Sequence, residues 1–338
     1  MNKPLFGALT ALSMTTAASA YAEAEHTLVF SSWVPPTHNI NVQMLPSIIE
    51  MIEEATDGRV TGEIRMGLAP PPAQMDLVLD GAVDVAYVFH GYQPGRFVSY
   101  KLVELPGVET TAEAASVAFW NIFENHLAEL DEHRGVKVIG LHTYGPGQLH
   151  TNSAVSSLEA MAGLKRRMPG GVASDVGAAL NATGIQVPAP KVYETLASNA
   201  ADGVMMTIDG RQGFRLTEVA PNYYEMPGGF FRGSFAHIMN EDVFADLPED
   251  LQLVLQEEVF GEPISRMSGA VWDEGDVFSV QLTEETEGST ITYASDADIA
   301  VFAPIVEAVT ASVLAEVNAT GVDADAALAA FHAELAAQ

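Results

Sequence analysis

"GLKRRMPGGVASDVGAALNATGIQVPAP", residues 163–190, is the stretch on which the fold turns. A short run, "GLKRRMP", bounded by loop-forming Gly163 and Pro169, precedes a helical segment, "GVASDVGAALNATG" (171–184), and "IQVPAP" (185–190) follows as a second extended run. Strand, helix and strand at this spacing form the unit of a mainly parallel α/β sheet. The same stretch sets a chemical question. Lys165, Arg166 and Arg167 stand together in a chain of 15 basic and 45 acidic residues. Side chains alternate along a strand, so Lys165 and Arg167 point one way and Arg166 the other. A guanidinium is planar, always charged and able to bond a carboxylate through two N–H groups, which suits it to a fixed clamp. On spacing alone, a solvated basic cluster paired with nearby acids is the competing account.

The same grammar extends outward. Downstream, "KVYETLASNAAD" (191–202) reads as a helix and "GVMMTI" (203–208) as a strand. Upstream, "HTLVFSSW" (26–33) and "RVTGEIRM" (59–66) read as strands around a helix at 39–58, and "PAQMDLVLDGAVDVAYVF" (72–89) as a helix, a break at Gly81 and a strand. A helix over 112–135 and a buried strand over 136–145 close this first set. The pattern occurs twice without a repeat of sequence, which predicts two α/β lobes. From Leu247–Pro248 to about Glu285 the chain reads as one helix of some 35 to 40 residues with a kink at Pro263. Such a helix measures about 50 to 60 Å, enough to cross both lobes. Helices at 299–321 and 323–337 end the chain.

Composition narrows the function. The 338 residues, 48% hydrophobic, suffice for two domains. A formal net charge of −30, spread along the chain, argues against nucleic acid or an anionic membrane surface as partner. The absence of cysteine removes disulfides, thiol catalysis and zinc–thiolate sites. Lys3 followed by "PLFGALTALSMTTAASAYA" (4–22) reads as a secretory leader over 1–22, and no later run approaches about 18 uninterrupted apolar residues. A soluble protein of the periplasm is expected. "GPGQLH" (145–150) lacks the third glycine of a dinucleotide fingerprint, and neither a nucleophile elbow nor a Walker loop occurs. The nine histidines form no metal-binding pair, and the "DADIA" and "DADAA" runs lack the glycine and distal glutamate of a calcium loop. No catalytic residue, cofactor or metal is expected.

Three ordered motifs carry a resemblance. "SLEAMAGLKRRMP" (157–169) is similar to "S-x-x-D-x-x-G-L-K-x-R-x-P", "YETLASNAADG" (193–203) to "Y-x-A-L-x-x-G-x-x-D-G", and "LDGAVDVAYV" (79–88) with "PGRFVSYKLVELPG" (94–107) to "G-x-x-D" followed by "P-x-x-F…E-L-P". Together they resemble the solute-binding proteins of tripartite ATP-independent periplasmic (TRAP) transporters, of the C4-dicarboxylate-binding type, from about residue 26 to past 250. The resemblance implies two lobes joined by strands and spanned by a long helix, a clamshell closing over its ligand. It implies that Arg167 holds the substrate carboxylate, and that cargo passes unaltered from a monomeric receptor to small and large integral membrane subunits.

Departures from the family pattern point to the cargo. Gly147 stands where some members carry a second arginine, Met206 where the same members have asparagine, and Phe89 where a carboxylate is frequent. The expected pocket is Arg167 among Trp33, Tyr87, Phe89, Tyr144, Met206 and Phe230, with His90 and His150 as further hydrogen-bonding groups. Such walls favour a monocarboxylate with an apolar or aromatic body over a polyhydroxylated sugar acid. The lobes are expected at 26–145 plus 234–273 and at 146–233 plus 274–338. Three alternatives stay open on the residues: a secreted α/β enzyme acting on a small acid, a receptor for a zwitterionic osmolyte held by aromatic faces, and a binding protein that serves a sensor.

Overall fold

The computed structural model describes residues 24–338, so the leader read over 1–22 lies outside the described residues. In chain order the strands are β1 (His26–Ser32), β2 (Val60–Met66), β3 (Val85–Phe89), β4 (Val136–Thr143), β5 (Gln148–Thr151), β6 (Lys165–Met168), β7 (Thr183–Gln186), β8 (Gly203–Met206), β9 (Asn222–Glu225), β10 (Ser234–Asn240) and β11 (Thr290–Tyr293). They form two sheets, β2-β1-β3-β10-β4 and β11-β9-β5-β8-β6-β7. The opening stretch behaves as read: β6 and β7 pair in parallel, Lys165 opposite Thr183 through Met168 opposite Gln186, and β6 also pairs in parallel with β8. The helix between them ends earlier than the sequence pattern implies, because Asn181 takes a left-handed conformation at φ 52°. β7 therefore begins at Thr183.

Each sheet is mixed. β10 runs antiparallel to both β3 and β4, and β5 runs antiparallel to β8 and β9. β10 leaves the second half of the chain to complete the first sheet, so two adjacent segments, 144–147 and 226–233, pass side by side between the sheets. They are pinned where the Gly147 N–H donates to the Phe231 carbonyl at 2.7 Å and the Phe230 N–H to the Gly147 carbonyl at 2.9 Å. Arg232 is fully buried beside this crossing and donates to the carbonyls of Tyr144 (3.0 Å), Val108 (3.2 Å) and Thr110.

The helices are α1 (Leu45–Ala55), α2 (Gln74–Leu79), α3 (Ala112–Ile122), α4 (Val172–Ala179), α5 (Val192–Ala197), four short ones, α6 (Gly210–Gly213), α7 (Leu216–Val219), α8 (Glu241–Ala245) and α9 (Glu249–Val254), and the long α10 (Glu262–Glu285), α11 (Asp296–Asn318) and α12 (Ala324–Ala337). The single long helix expected over 247–285 is interrupted. After α9 the chain winds as a π-helix over Leu255–Val259, extends at Phe260 and turns at Gly261, whose φ is +88°. A Cβ on Gly261 would lie 2.7 Å from the Trp120 ring, so only glycine fits this close approach. Pro263 falls in the first turn of α10, where its missing N–H costs nothing, and does not kink it. The 24-residue α10 is about 36 Å long at 1.5 Å per residue. It still reaches both sheets, packing on α3 and β4 at one end and on α6 and β11 at the other. Asp273 of α10 accepts from the first two N–H groups of α3, Ala112 at 2.7 Å and Glu113 at 2.9 Å, and so ties the two helices together.

Helix α11 is long and apolar enough to cross a membrane by length and composition, with a window of mean hydropathy 1.7. It escapes the criterion of an uninterrupted run because Glu307 and Glu316 break it. Its buried stripe, Phe302, Val309, Val313 and Val317, packs toward α4 and the turn at 99–104. α12 reaches back to α3.

Candidate functional site

The cleft between the sheets is walled by aromatic side chains. Trp33, just past β1, stacks on Tyr87 of β3 with centroids 5.1 Å apart, and its indole N–H donates to the Tyr87 carbonyl at 3.0 Å. Phe89 closes the same strand and meets Tyr92 edge-on at 4.7 Å. Tyr144 and Trp272 meet edge-on at 5.7 Å, and Phe235 of β10 packs against both. Rings held this way present flat apolar faces at fixed angles.

Arg167 enters from the end of β6 and is 1% exposed. Its Nε donates to the Val187 carbonyl at 2.8 Å and one Nη to the Tyr92 hydroxyl at 3.1 Å, while the other lies 3.5 Å from the Met205 carbonyl. Among the described residues no acidic side chain forms an ion pair with it. A buried cation held only by dipoles is poised for an anion, since desolvation without a counter-charge is costly. The Tyr92 oxygen accepts from both Arg167 and the Ala189 N–H (2.8 Å), which commits its lone pairs and leaves its own proton to donate. Tyr92 and Arg167 belong to opposite sheets' sides of the cleft, so this corner joins the two.

A second cross-cleft contact lies beside it. Pro169 is followed by Gly170 and Gly171 with φ of 106° and 57°, and a Cβ on Gly170 would sit 2.1 Å from the Gly91 carbonyl oxygen. These glycines let the start of α4 come down on Glu104, whose carboxylate accepts from the Val172 N–H at 3.0 Å and the Ser234 hydroxyl at 2.6 Å. Burial raises the Glu104 carboxyl to about 7 against the pull of these donors.

At another part of the wall, Asp209 and His38 face each other with Oδ2 and Nε2 3.7 Å apart. Asp209 is 4% exposed and burial raises its carboxyl to about 6, although the Thr207 hydroxyl donates to it. Burial holds His38 down to about 3, so its ring is neutral. Asp276 on α10 lies close enough to Asp209 for like-charge repulsion to add to burial, and it is driven well above the carboxylate range.

Of the residues expected from the sequence, Arg167, Trp33, Tyr87, Phe89, Tyr144 and Met206 line this cleft together. Three do not. His90 lies behind the wall, bonded to Ser234 at 2.9 Å and to His133 at 3.0 Å. His150 points away, its Nε2 3.2 and 3.1 Å from the carbonyls of Met206 and Thr207 and its Nδ1 near Arg211, so it braces the segment that carries Met206. Phe230 packs edge-on against Phe302 at 5.2 Å in the core below. All three are buried, His90 in the turn after β3, His150 on β5 and Phe230 in the 226–233 segment, and their neighbours already use them. The basic cluster does not lie on the surface either: only Lys165 is exposed, and Arg166 is buried on the far face of β6, donating to Met161 and Leu180 carbonyls. At Gly147 a Cβ would lie 2.3 Å from the Phe231 ring, which explains why no second arginine stands there. The sequence reading omits His38, Tyr92, Thr207, Asp209, Phe214, Phe235 and Trp272 from the lining. Trp272 alone had a signal, as the one tryptophan on a helix expected to cross both lobes.

Two lobes linked by paired strands and a crossing helix, with a buried cation in an aromatic cleft between them, define a solute-binding protein of the clamshell class. The chain belongs to the bacterial extracellular solute-binding protein family 7, whose model matches residues 30–316. It is similar to a TRAP periplasmic solute-binding protein of Bordetella bronchiseptica solved with bound (R)- and (S)-mandelate, at 36% identity, 91% coverage of this chain and 98% of that one, TM-score 0.87. A TRAP solute-binding protein from Rhodoferax ferrireducens in complex with copurified benzoate is 26% identical over 92% of this chain and 97% of its own, TM-score 0.85. A curated relative, described as outer membrane transporter protein TsaT of Comamonas testosteroni, is 25% identical over 92% of both chains. The chain is thus a periplasmic receptor of the TRAP type, a class that binds small organic acids and works with the membrane components of its transporter.

Proposed function

We propose that this receptor captures an aromatic or aryl-substituted monocarboxylate and releases it chemically unchanged to its membrane subunits. One observation carries the reading: a buried guanidinium with no acidic partner among the described residues opens into a cleft walled by Trp33, Tyr87, Phe89, Tyr144 and Trp272. Arg167 and the Tyr92 hydroxyl hold the carboxylate, and the rings take the body. That relatives at 36% and 26% identity are described with mandelate and benzoate supports the same class. In this reading the lobes are 26–145 with 234–273 and 146–233 with 274 onward, the last helix reaching back across. Ligand favours the closed form because Arg167 and Tyr92 stand on opposite lobes and a carboxylate bonds both at once.

The test is calorimetric titration of the mature protein with aromatic, aliphatic, dicarboxylic and sugar acids, beside Arg167→Ala. Two charge-assisted bonds at about 1.5–3 kcal/mol each predict a loss of roughly 10²- to 10⁴-fold in the variant. Tight binding of a sugar acid or dicarboxylate in preference to aromatic monocarboxylates refutes the ligand class. Retained affinity in Arg167→Ala refutes the anchor. Recovery of the bound acid unchanged after prolonged incubation supports a receptor over an enzyme, and a turned-over product overturns it.

A further inference from the structure

The cleft has two polar poles, and only Arg167 with Tyr92 is spent on a carboxylate. At the other pole, the Ile40 N–H is shared between Asn39 Oδ1 at 3.0 Å and His38 Nδ1 at 3.3 Å; an accepting Nδ1, with the Asp209 carboxylate on the Nε2 side, puts the ring proton of the neutral imidazole on Nε2. That N–H faces Asp209 Oδ2 at 3.7 Å, beyond hydrogen-bond length, so donor and acceptor are not spent on each other. The other Asp209 oxygen takes the Thr207 hydroxyl. All three residues line the cleft, and His38, Thr207 and Asp209 are each at least nine-tenths buried. A donor and an acceptor side by side in an apolar wall match a group that accepts from one and donates to the other. A hydroxyl does both. A bare ring edge does neither, and an ether oxygen only accepts.

From this, and resting on the proposed function above, we infer that Asp209 and His38, braced by Thr207, read a hydroxyl group on the ligand, so that the preferred cargo is a hydroxylated aromatic monocarboxylate. The hydroxyl donates to Asp209 Oδ2 and accepts from His38 Nε2–H, while the ring lies among Trp33, Tyr87 and Phe235. An unsubstituted acid leaves both buried groups without a ligand partner, and sites built to bond a hydroxyl discriminate strongly against analogues that lack it. The local charge is consistent with this role: Asp276 and Asp209 share a buried region with Arg232 nearby, and burial with mutual repulsion disfavours ionising both at once. Asp209 holds the Thr207 hydroxyl and the Gly210 N–H, donors that favour its ionised, accepting form.

The experiment is calorimetry on matched ligands: benzoate against its three ring-hydroxylated and methoxylated forms, and phenylacetate against mandelate and the ring-hydroxylated phenylacetates. In at least one matched set the hydroxylated acid is expected to bind about tenfold or more tighter than the parent, with the methoxy analogue weaker than the hydroxyl form. In Asp209→Asn the Thr207 hydroxyl fixes the amide oxygen and turns the NH₂ toward the ligand, so the hydroxyl meets a donor and the preference collapses toward one. Equal affinity for hydroxylated and parent acids in the unmutated protein overturns this inference while Arg167-dependent binding leaves the proposed function standing. A preference that survives in folded Asp209→Asn, confirmed by its melting curve, also overturns it. Failure of every aromatic acid to bind removes both readings together. The matched sets in the unmutated protein decide the matter even if the variant does not fold.

Discussion

Replacing Glu104 with glutamine should remove a pH-dependent component of stability that runs against the usual direction for a carboxylate. Glu104 is buried between Ser234 of β10 and the start of α4, and its carboxyl rises from 4.5 to about 7 because burial outweighs the Val172 and Ser234 donors. Between those two values the folded chain keeps a proton that the unfolded chain has lost. Folding therefore takes up a proton, and stability falls as pH rises through that window; the contribution is complete below 4.5 and gone above 7. A shift of about 2.5 at 1.36 kcal/mol per pKa unit amounts to about 3 kcal/mol. Lys101 and Tyr144 act on it through charge. A hydrogen-bonded chain also leads away from it, Glu104 to Ser234, Ser234 to His90, His90 to His133 at 3.0 Å, and His133 to Tyr100 at 3.1 Å, with both histidines held neutral by burial. Ionised Glu104 orients every donor in that chain toward itself, and protonated Glu104 reverses it.

The assay is reversible urea unfolding of the wild type and Glu104→Gln at about pH 4 and about pH 8 in fixed salt, which bracket the titration. Asp209 and Asp276 titrate in the same direction but are present in both proteins, so they cancel in the comparison. The wild type should lose about 3 kcal/mol more than the variant between the two conditions. Glutamine lowers absolute stability by about 1 kcal/mol through one mispaired donor, which does not enter the difference. Equal pH dependence in the two proteins refutes the assignment of a raised carboxyl to Glu104.

Three further outcomes follow from the geometry. Gly170→Ala places a methyl 2.1 Å from the Gly91 carbonyl at a φ of 106°, so the lobes cannot close fully and ligand affinity should fall at least about tenfold by calorimetry, with the fold retained by circular dichroism. Arg232→Met strips the Tyr144, Val108 and Thr110 carbonyls of a shared buried donor and should cost about 2–5 kcal/mol in urea unfolding; a loss under about 0.5 kcal/mol would show the hinge does not depend on it. His142→Phe should leave stability unchanged or raise it by up to about 1 kcal/mol, since both ring nitrogens lack a partner among the described residues and the ring is already stacked on Phe235 and Tyr87.

The sequence makes legible what local periodicity decides. β6, α4 and β7 lie in adjacent runs, each with its own period and its own stop, and the same holds for β1 through β3. β10 is different: "SFAHIMN" is buried along its whole length, so it shows no alternation, and its partners β3 and β4 lie about a hundred or more residues away. Nothing local announces that the chain returns to the first sheet. The break at Gly261 is equally silent, because what forbids a side chain there is the Trp120 ring of another helix. A helical pattern continues across the interruption, which is why one long helix is the natural reading.

The site divides along the same line. Arg166 and Arg167 are neighbours with the same 1% exposure, and Arg211 and Arg232 are buried as completely. Four buried guanidiniums in a chain of net charge −30 are not told apart by composition. Three of them spend their N–H groups on carbonyls of the core, the hinge and the loop before β9. Strand alternation separates Arg167 from Arg166, because one face of β6 turns toward the cleft and the other toward the turn at 159–161 and the end of α4. The family motif marks the same residue. Asp209 has no such signal. It follows "MMTI" in a segment that reads as ordinary core, and its role depends on His38, 171 positions earlier. A carboxylate that must stay dry and yet accept a proton donor from a ligand is defined by its three-dimensional surroundings, and those are set by the closure of the two lobes on each other.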